Sequence, residues 1–99
     1  MKHSLKKKVV IANLEPFEDM FVDLINILSN KLPEARGFEG CISINACIDE
    51  KKKIIILYEV WASESMHKNY VEWRKKTGVH DLISSHLKNR SFSYYTYLV

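Results

Sequence analysis

The chain has 99 residues, of which 46% are hydrophobic and 27% charged, with only three Gly and two Pro. This composition excludes collagen-like and disordered classes and predicts one domain over residues 1–99. Because so short a chain buries a modest share of its surface, we expect a partner subunit. The net charge of +3 comes from basic residues scattered over ends and turns, so we expect no nucleic-acid partner.

Targeting and metal signals are weak in this sequence. The longest apolar run, Ile54 to Tyr58, is too short to span a bilayer, and the charged start of the chain lacks the apolar stretch of a secretory signal. We therefore expect a cytoplasmic protein with no membrane partner. Cys41 and Cys47 would lie about 20 Å apart in a strand, which predicts reduced thiols. The histidines at positions 3, 67, 80 and 86 match no zinc-site spacing, so we predict no metal site.

The first half of the chain predicts a strand, a helix and a second strand. Lys8 to Leu14 is short and β-branched, which is typical of a strand. Pro16 suits the first turn of a helix, and apolar residues then recur at three- and four-residue steps until Pro33, where we expect the helix to end. Cys41 to Ile48 alternates strictly, which predicts a strand with Ile42, Ile44, Ala46 and Ile48 on one face.

The second half predicts a central strand, a helical region and a last strand. Ile54 to Trp61 is apolar on both faces and forms a hairpin with the preceding strand. Ser63 is a suitable N-cap for a helix through Lys76, and Val79 to Lys88 follows as a second helical stretch. Ser91 to Val99 closes the chain as a strand. The order β-α-β-β-α-(α)-β predicts an α+β fold, the ferredoxin-like βαββαβ sandwich. Large side chains on its uncovered sheet face predict a homodimer.

Three segments carry a resemblance to a known family: GFEGCISINAC at 37–47, YEVW at 58–61 and YVEWRKKTG at 70–78. Over almost its whole length the chain resembles the antibiotic biosynthesis monooxygenases, dimeric α+β barrels that include quinol monooxygenases and haem-degrading enzymes. The resemblance implies oxidation of an electron-rich phenol, quinol or polycyclic aromatic by dioxygen, without metal, flavin or another cofactor. The small aromatic substrate would lie between helices and sheet.

Such chemistry requires a pocket that orients the ring, favours its anion and excludes water. Trp61, Tyr70 and Trp73 are the predicted substrate-binding walls, although aromatic residues at this spacing also form ordinary cores. Arg74 and Asn45 are predicted to contact a substrate oxygen. The alternative for Arg74 is a solvated helix end.

His80 and Asn13 are the predicted catalytic residues. His80 follows Trp73 by seven residues and has an ordinary pKa suited to proton transfer, whereas His67 and His86 are expected to be more exposed. Asn13 could donate a hydrogen bond to an oxyanion. Glu59 needs a partner inside the central strand, and an ion pair in the dimer interface is favoured over a role as general base.

Two other functions remain open at this point. One is a non-enzymatic dimeric barrel that binds a small molecule. The other is haem binding or degradation, which in this family uses an Asn on the first strand, a Trp on the helix after the hairpin and a His ligand; here Tyr70 stands where the Trp is expected. An RNA-recognition module is excluded, since Lys53 to Val60 lacks the required glycine and stacking aromatics.

Overall fold

The computed structural model describes residues 7–98 as a four-stranded antiparallel sheet with three helices. The elements are β1 (Lys8–Pro16), a 3₁₀ turn (Glu18–Met20), α1 (Phe21–Arg36), β2 (Cys41–Asp49), β3 (Ile54–Trp61), α2 (Glu64–Lys76), α3 (Val79–Ser84) and β4 (Leu87–Thr96). The strand order across the sheet is β2-β3-β1-β4. This confirms the predicted ferredoxin-like α+β fold.

The first helix differs from its prediction at both ends. Pro16 is the last residue of β1, because the backbone N–H of Phe17 donates to the carbonyl of His86 and keeps this segment beside β4. At the other end α1 passes through Pro33 to Arg36. Burial of Ala35 and a hydrogen bond from Arg36 to the carbonyl of Ile44 hold this last turn in place.

The core lies between one face of the sheet and the helices. Its fully or almost fully buried members are Val10, Ala12 and Leu14 from β1, Leu24, Leu28, Leu32 and Ala35 from α1, and Ile44, Ile55 and Trp61 from β2 and β3. The pairing of β2 with β3 shifts between Cys41 and Ser43. This bulge exposes Ile42 and packs Cys41 against the core, so the predicted alternation of β2 fails there.

A side-chain cap begins α2, and a glycine in the left-handed conformation follows it. The side chain of Ser63 accepts a hydrogen bond from the N–H of Met66, which confirms the predicted N-cap. Gly78 has φ of 84°, a left-handed conformation that separates α2 from α3. The last strand begins at Leu87 rather than Ser91, because it pairs with β1 as far as Pro16.

The opposite face of the sheet, which we call the open face, carries Val9, Ile11, Ile56, Tyr58 and Tyr95. Tyr58 and Tyr95 are 43% and 56% exposed. Among residues 7–98, no helix has both the length and the apolar composition required to cross a membrane.

Candidate functional site

A cavity of about 80 Å³ lies between the helices and the sheet and is partly open to solvent. Its polar or aromatic lining residues are Lys31, Glu59, His67, Tyr70, Arg74, His80, Arg90 and Phe92, and aliphatic side chains form the rest. The structure thus brings together three of the predicted site residues, Tyr70, Arg74 and His80. The roles predicted for them remain predictions.

Trp61 and Trp73 are absent from the cavity lining because they pack into an aromatic cluster. The indole of Trp61 is fully buried, with ring centroids 5.2 Å from Tyr70 and 6.5 Å from Phe38. The ring of Trp73 lies 5.3 Å from that of Phe38, with the two planes tilted by 35°. Large aromatic side chains contribute strongly to a small core when they pack on one another. Trp61 and Trp73 therefore stabilise the core and do not form the predicted walls of the pocket.

Asn13 and Asn45 lie on the open face, away from the cavity. Each is exposed and each neighbours a buried residue of the core in its strand. Because successive side chains of a strand point to opposite faces, neither amide faces the helices. The structure therefore does not bring these two residues to the cavity, and the roles predicted for them remain predictions.

Glu59 is only 4% exposed and lines the cavity. Its Oε1 accepts a hydrogen bond of 2.8 Å from Nε1 of Trp61 and lies 3.6 Å from Nε2 of His67. Burial raises the pKa of the Glu59 carboxyl, and the indole hydrogen bond partly opposes this shift. Since Glu59 shares its sheet face with Trp61, the predicted ion pair in a dimer interface is wrong.

His67 is 1% exposed, contrary to the expectation that it would lie at the surface. Its Nδ1 is 2.9 Å from the hydroxyl of Tyr94, and burial lowers the pKa of His67 to about 4. The ring is therefore neutral at pH 7. The sequence carried a signal for this position, because His67 precedes Tyr70 by three residues and Arg74 by seven, and such residues share one helix face.

Arg74 is 5% exposed, so the alternative of a solvated helix end is wrong. Its Nε donates to the Tyr70 hydroxyl at 2.8 Å, Nη1 to a Glu34 carboxylate oxygen at 3.1 Å and Nη2 to the Lys31 carbonyl at 2.8 Å. Burial raises the pKa of Tyr70, and the hydrogen bond from Arg74 opposes this shift. All three guanidinium nitrogens thus connect α2 to itself and to α1.

Arg90 is a cavity residue that the sequence analysis missed. Its Nη1 lies 2.9 Å from Nε2 of His80. A guanidinium only donates hydrogen bonds, so Nε2 of His80 accepts and its Nδ1 carries the hydrogen. Burial lowers the pKa of His80, and the charges of Arg90 and Lys75 lower it further. Nε of Arg90 is buried without a hydrogen-bond partner.

Comparisons with known proteins relate this architecture to solved structures. No protein-family model matches the sequence, and no curated protein matches it significantly. A proposed antibiotic biosynthesis monooxygenase from Chloroflexus aurantiacus superposes with a TM-score of 0.78 at 19% identity, over 94% of each chain. A monooxygenase of Streptomyces coelicolor in complex with nanaomycin D gives 0.78 at 15% identity, over 95% of this chain and 89% of its own. The chain has the fold of the antibiotic biosynthesis monooxygenases.

Not every neighbour with this monooxygenase fold has a named activity. A conserved protein from Methanosarcina mazei superposes with a TM-score of 0.81 at 20% identity, over 93% of each chain. The fold therefore narrows the function less than the side chains of the cavity do.

Haem does not fit the residues of this cavity. The volume of about 80 Å³ is far below the roughly 300–1,000 Å³ of small-molecule pockets, and the lone pair of His80 Nε2 is taken by Arg90. The Trp residues pack elsewhere, and Asn13 lies on the open face. Within residues 7–98, no group of three or more His, Cys, Asp or Glu side chains is disposed to hold a metal ion.

Proposed function

We propose that the chain is a cofactor-independent monooxygenase that oxidises an electron-rich phenol or quinol with dioxygen. The observation that carries this proposal is the buried carboxyl of Glu59 on the wall of a largely apolar cavity, in the fold of known monooxygenases. The structural neighbour in complex with nanaomycin D supports a small-molecule ligand for this fold.

Glu59 is the proposed general base. A carboxyl whose pKa is raised by burial accepts a proton more readily near neutral pH. The proton of the substrate hydroxyl passes to Glu59, and the resulting anion transfers an electron to dioxygen. One oxygen atom then forms a new C–O bond, and the other leaves as water. The substrate supplies all four electrons, so no external reductant is consumed.

The size of the cavity favours a single-ring substrate over a polycyclic one. An apolar cavity of about 150 Å³ can bind one benzene ring, and this cavity is smaller. Phe92 lines the cavity and is 45% exposed, so its movement would admit a ring at little cost. A fused ring system would require larger changes in the buried walls.

We also propose that two copies of the chain pair through the open face of the sheet. Ile11, Ile56, Tyr58 and Tyr95 place a large apolar area there. An area of this kind is unfavourable in water and is typical of a protein interface. The homodimer would leave both cavities accessible, because they lie on the helix side of each sheet.

Oxygen uptake tests the proposed activity. Purified protein with methylhydroquinone, a single-ring quinol, a chelator and no flavin is expected to consume oxygen faster than heat-denatured protein. Glu59→Gln should lower the rate by about 100-fold or more, because it removes the base. Glu39→Gln, the same change at an exposed position, should not alter it. Uptake equal to that of denatured protein, or equal rates for wild type and Glu59→Gln, would contradict the proposal.

A non-enzymatic binding barrel is the second candidate, and the small cavity with its packed aromatics favours it. This candidate predicts that quinols raise the melting temperature of the protein while no oxygen is consumed.

The variant His80→Ala tests whether His80 acts in the reaction or positions Arg90. If His80 positions Arg90, the KM should rise and kcat should be largely retained. An unchanged rate and KM would remove any role for His80.

A further inference from the structure

The two arginines of the cavity differ in how their donors are used. Arg74 has a partner on each of its three nitrogens. Arg90 has one partner, the neutral ring of His80, and its buried Nε has none. Within residues 7–98, no carboxylate lies within 4.0 Å of the Arg90 guanidinium. A buried charged donor without an acceptor is unfavourable, so a ligand oxygen there would be strongly stabilised.

The charges around the cavity point to an anion. Lys31, Arg74 and Arg90 line it, whereas Glu59 is its one lining carboxylate in the part of the chain that the structure describes. Glu34 offsets the charge of Arg74 through a contact of 3.1 Å. Arg90 has no such counter-charge, and His80 accepts its hydrogen bond without adding a negative charge.

The surroundings of Arg90 select the kind of anion. Its guanidinium carbon lies 6.0 Å from the ring centroid of Phe92, and Ile83 also lines the cavity. Apolar walls beside one charged donor suit a flat apolar body that carries a single anionic oxygen. The hydrogen bond to His80 fixes one arm of the guanidinium, which leaves the N–H groups of Nη2 and Nε as donors for that oxygen.

We infer that Arg90 binds the substrate as its phenolate, with a guanidinium N–H that His80 does not use donating to the ionised oxygen and His80 holding the guanidinium in place. This inference rests on the proposed function, since it names the ionisation state in which that substrate binds. Arg90 then favours the anion that reacts with dioxygen, while the proton departs to Glu59.

Anaerobic binding of 4-nitrophenol tests the inference without turnover. Its phenolate absorbs visible light and its neutral form does not, so binding as the anion near neutral pH should increase the visible absorbance. Its methyl ether, 4-nitroanisole, cannot ionise and should bind at least about tenfold more weakly. Arg90→Gln should weaken 4-nitrophenol binding by roughly 10- to 100-fold and leave 4-nitroanisole within about twofold. Lys88→Gln, which removes an exposed charge from the same strand, should change neither.

Several results would overturn the inference: equal binding of the two probes by wild type, no binding of 4-nitrophenol, or equal affinity of wild type and Arg90→Gln. The comparison of the two probes uses only wild-type protein, so it stands if Arg90→Gln fails to fold. A protein that binds the phenolate but consumes no oxygen would contradict the proposed function and leave this inference intact. Equal rates of oxygen uptake in wild type and Arg90→Gln would contradict this inference and leave the proposed function intact.

Discussion

The two halves of the cavity differ in how completely their polar groups are paired. In the closed half, Trp61 donates to Glu59, and Arg74 is paired on every nitrogen. In the open half, His80, Arg90 and Phe92 form a partly exposed wall in which a buried donor has no acceptor. Paired polar groups stabilise the fold, whereas an unpaired one is available to a ligand. In the proposed function, the closed half is therefore structural around the carboxyl of Glu59, and the open half is the part that would bind the substrate.

The largest expected difference is in stability. Arg74→Met should lower the free energy of unfolding by about 3 kcal/mol, because it leaves the Tyr70 hydroxyl and the Lys31 carbonyl without their donor. Arg90→Met should cost less than about 1 kcal/mol, since Arg90 has few partners to lose. Urea denaturation of both variants gives the comparison. Equal losses would show that the two halves are not distinct.

Acid should destabilise the closed half. Unfolded His67 binds a proton below its ordinary pKa of 6.5, but folded His67 does so only near pH 4. The contribution of His67 to the free energy of unfolding is therefore fully present above pH 6.5 and is lost as the pH drops towards 4, by about 3 kcal/mol from His67 alone. Glu59 acts in the opposite sense, because its raised pKa makes the folded state lose stability as the pH rises.

Urea denaturation at several pH values measures this effect, and His67→Gln is the control. That variant should be less stable than wild type at pH 7 but should depend less on pH between 4 and 6.5. Equal pH dependence of stability in wild type and His67→Gln over this interval would show that His67 is not held neutral by burial.

Removal of the indole donor should have a smaller effect. Trp61→Phe keeps most of the buried aromatic surface but removes the hydrogen bond of 2.8 Å to Glu59, so we expect a loss of about 1–2 kcal/mol. The pKa of Glu59 should rise further, and the pH at which oxygen uptake is half-maximal should rise with it. If the pH profile of oxygen uptake is the same in wild type and Trp61→Phe, Glu59 is not the general base.

The smallest expected effect on stability is at Phe92, on the partly exposed side of the cavity. Phe92→Ala should cost less than about 1 kcal/mol, because Phe92 is half exposed. It should also let a two-ring naphthol bind more tightly relative to a single-ring phenol. A ratio of affinities equal to that of wild type would show that Phe92 does not limit access.

The sequence predicted elements whose signals are local. Periodicity located the strands β1 and β3 and the helix α2, and the capping residue Ser63 was correct. The bulge at Ile42 and the early start of β4 at Leu87 depend on how each strand pairs with its neighbour in the sheet, so the pattern within one strand did not reveal them.

The site was predicted only in part for a similar reason. Tyr70 and Arg74 follow from the buried face of α2, but the strands of this sheet are apolar on both faces. Their alternation therefore does not tell which face meets the helices, and this misplaced Asn13 and Glu59. Arg90 was missed because the predicted strand began one residue after it. Its unpaired Nε is visible only once the fold brings it to His80.

Isotope-labelled dioxygen tests the central claim most directly. Methylhydroquinone, a single-ring quinol, is turned over under ¹⁸O₂ with a chelator and without flavin, and the quinone product is analysed by mass spectrometry. A monooxygenase that uses this cavity should place one labelled atom in the product, and Glu59→Gln should abolish the labelled product. Unlabelled product from wild type, or equal labelling by wild type, Glu59→Gln and denatured protein, would contradict the account.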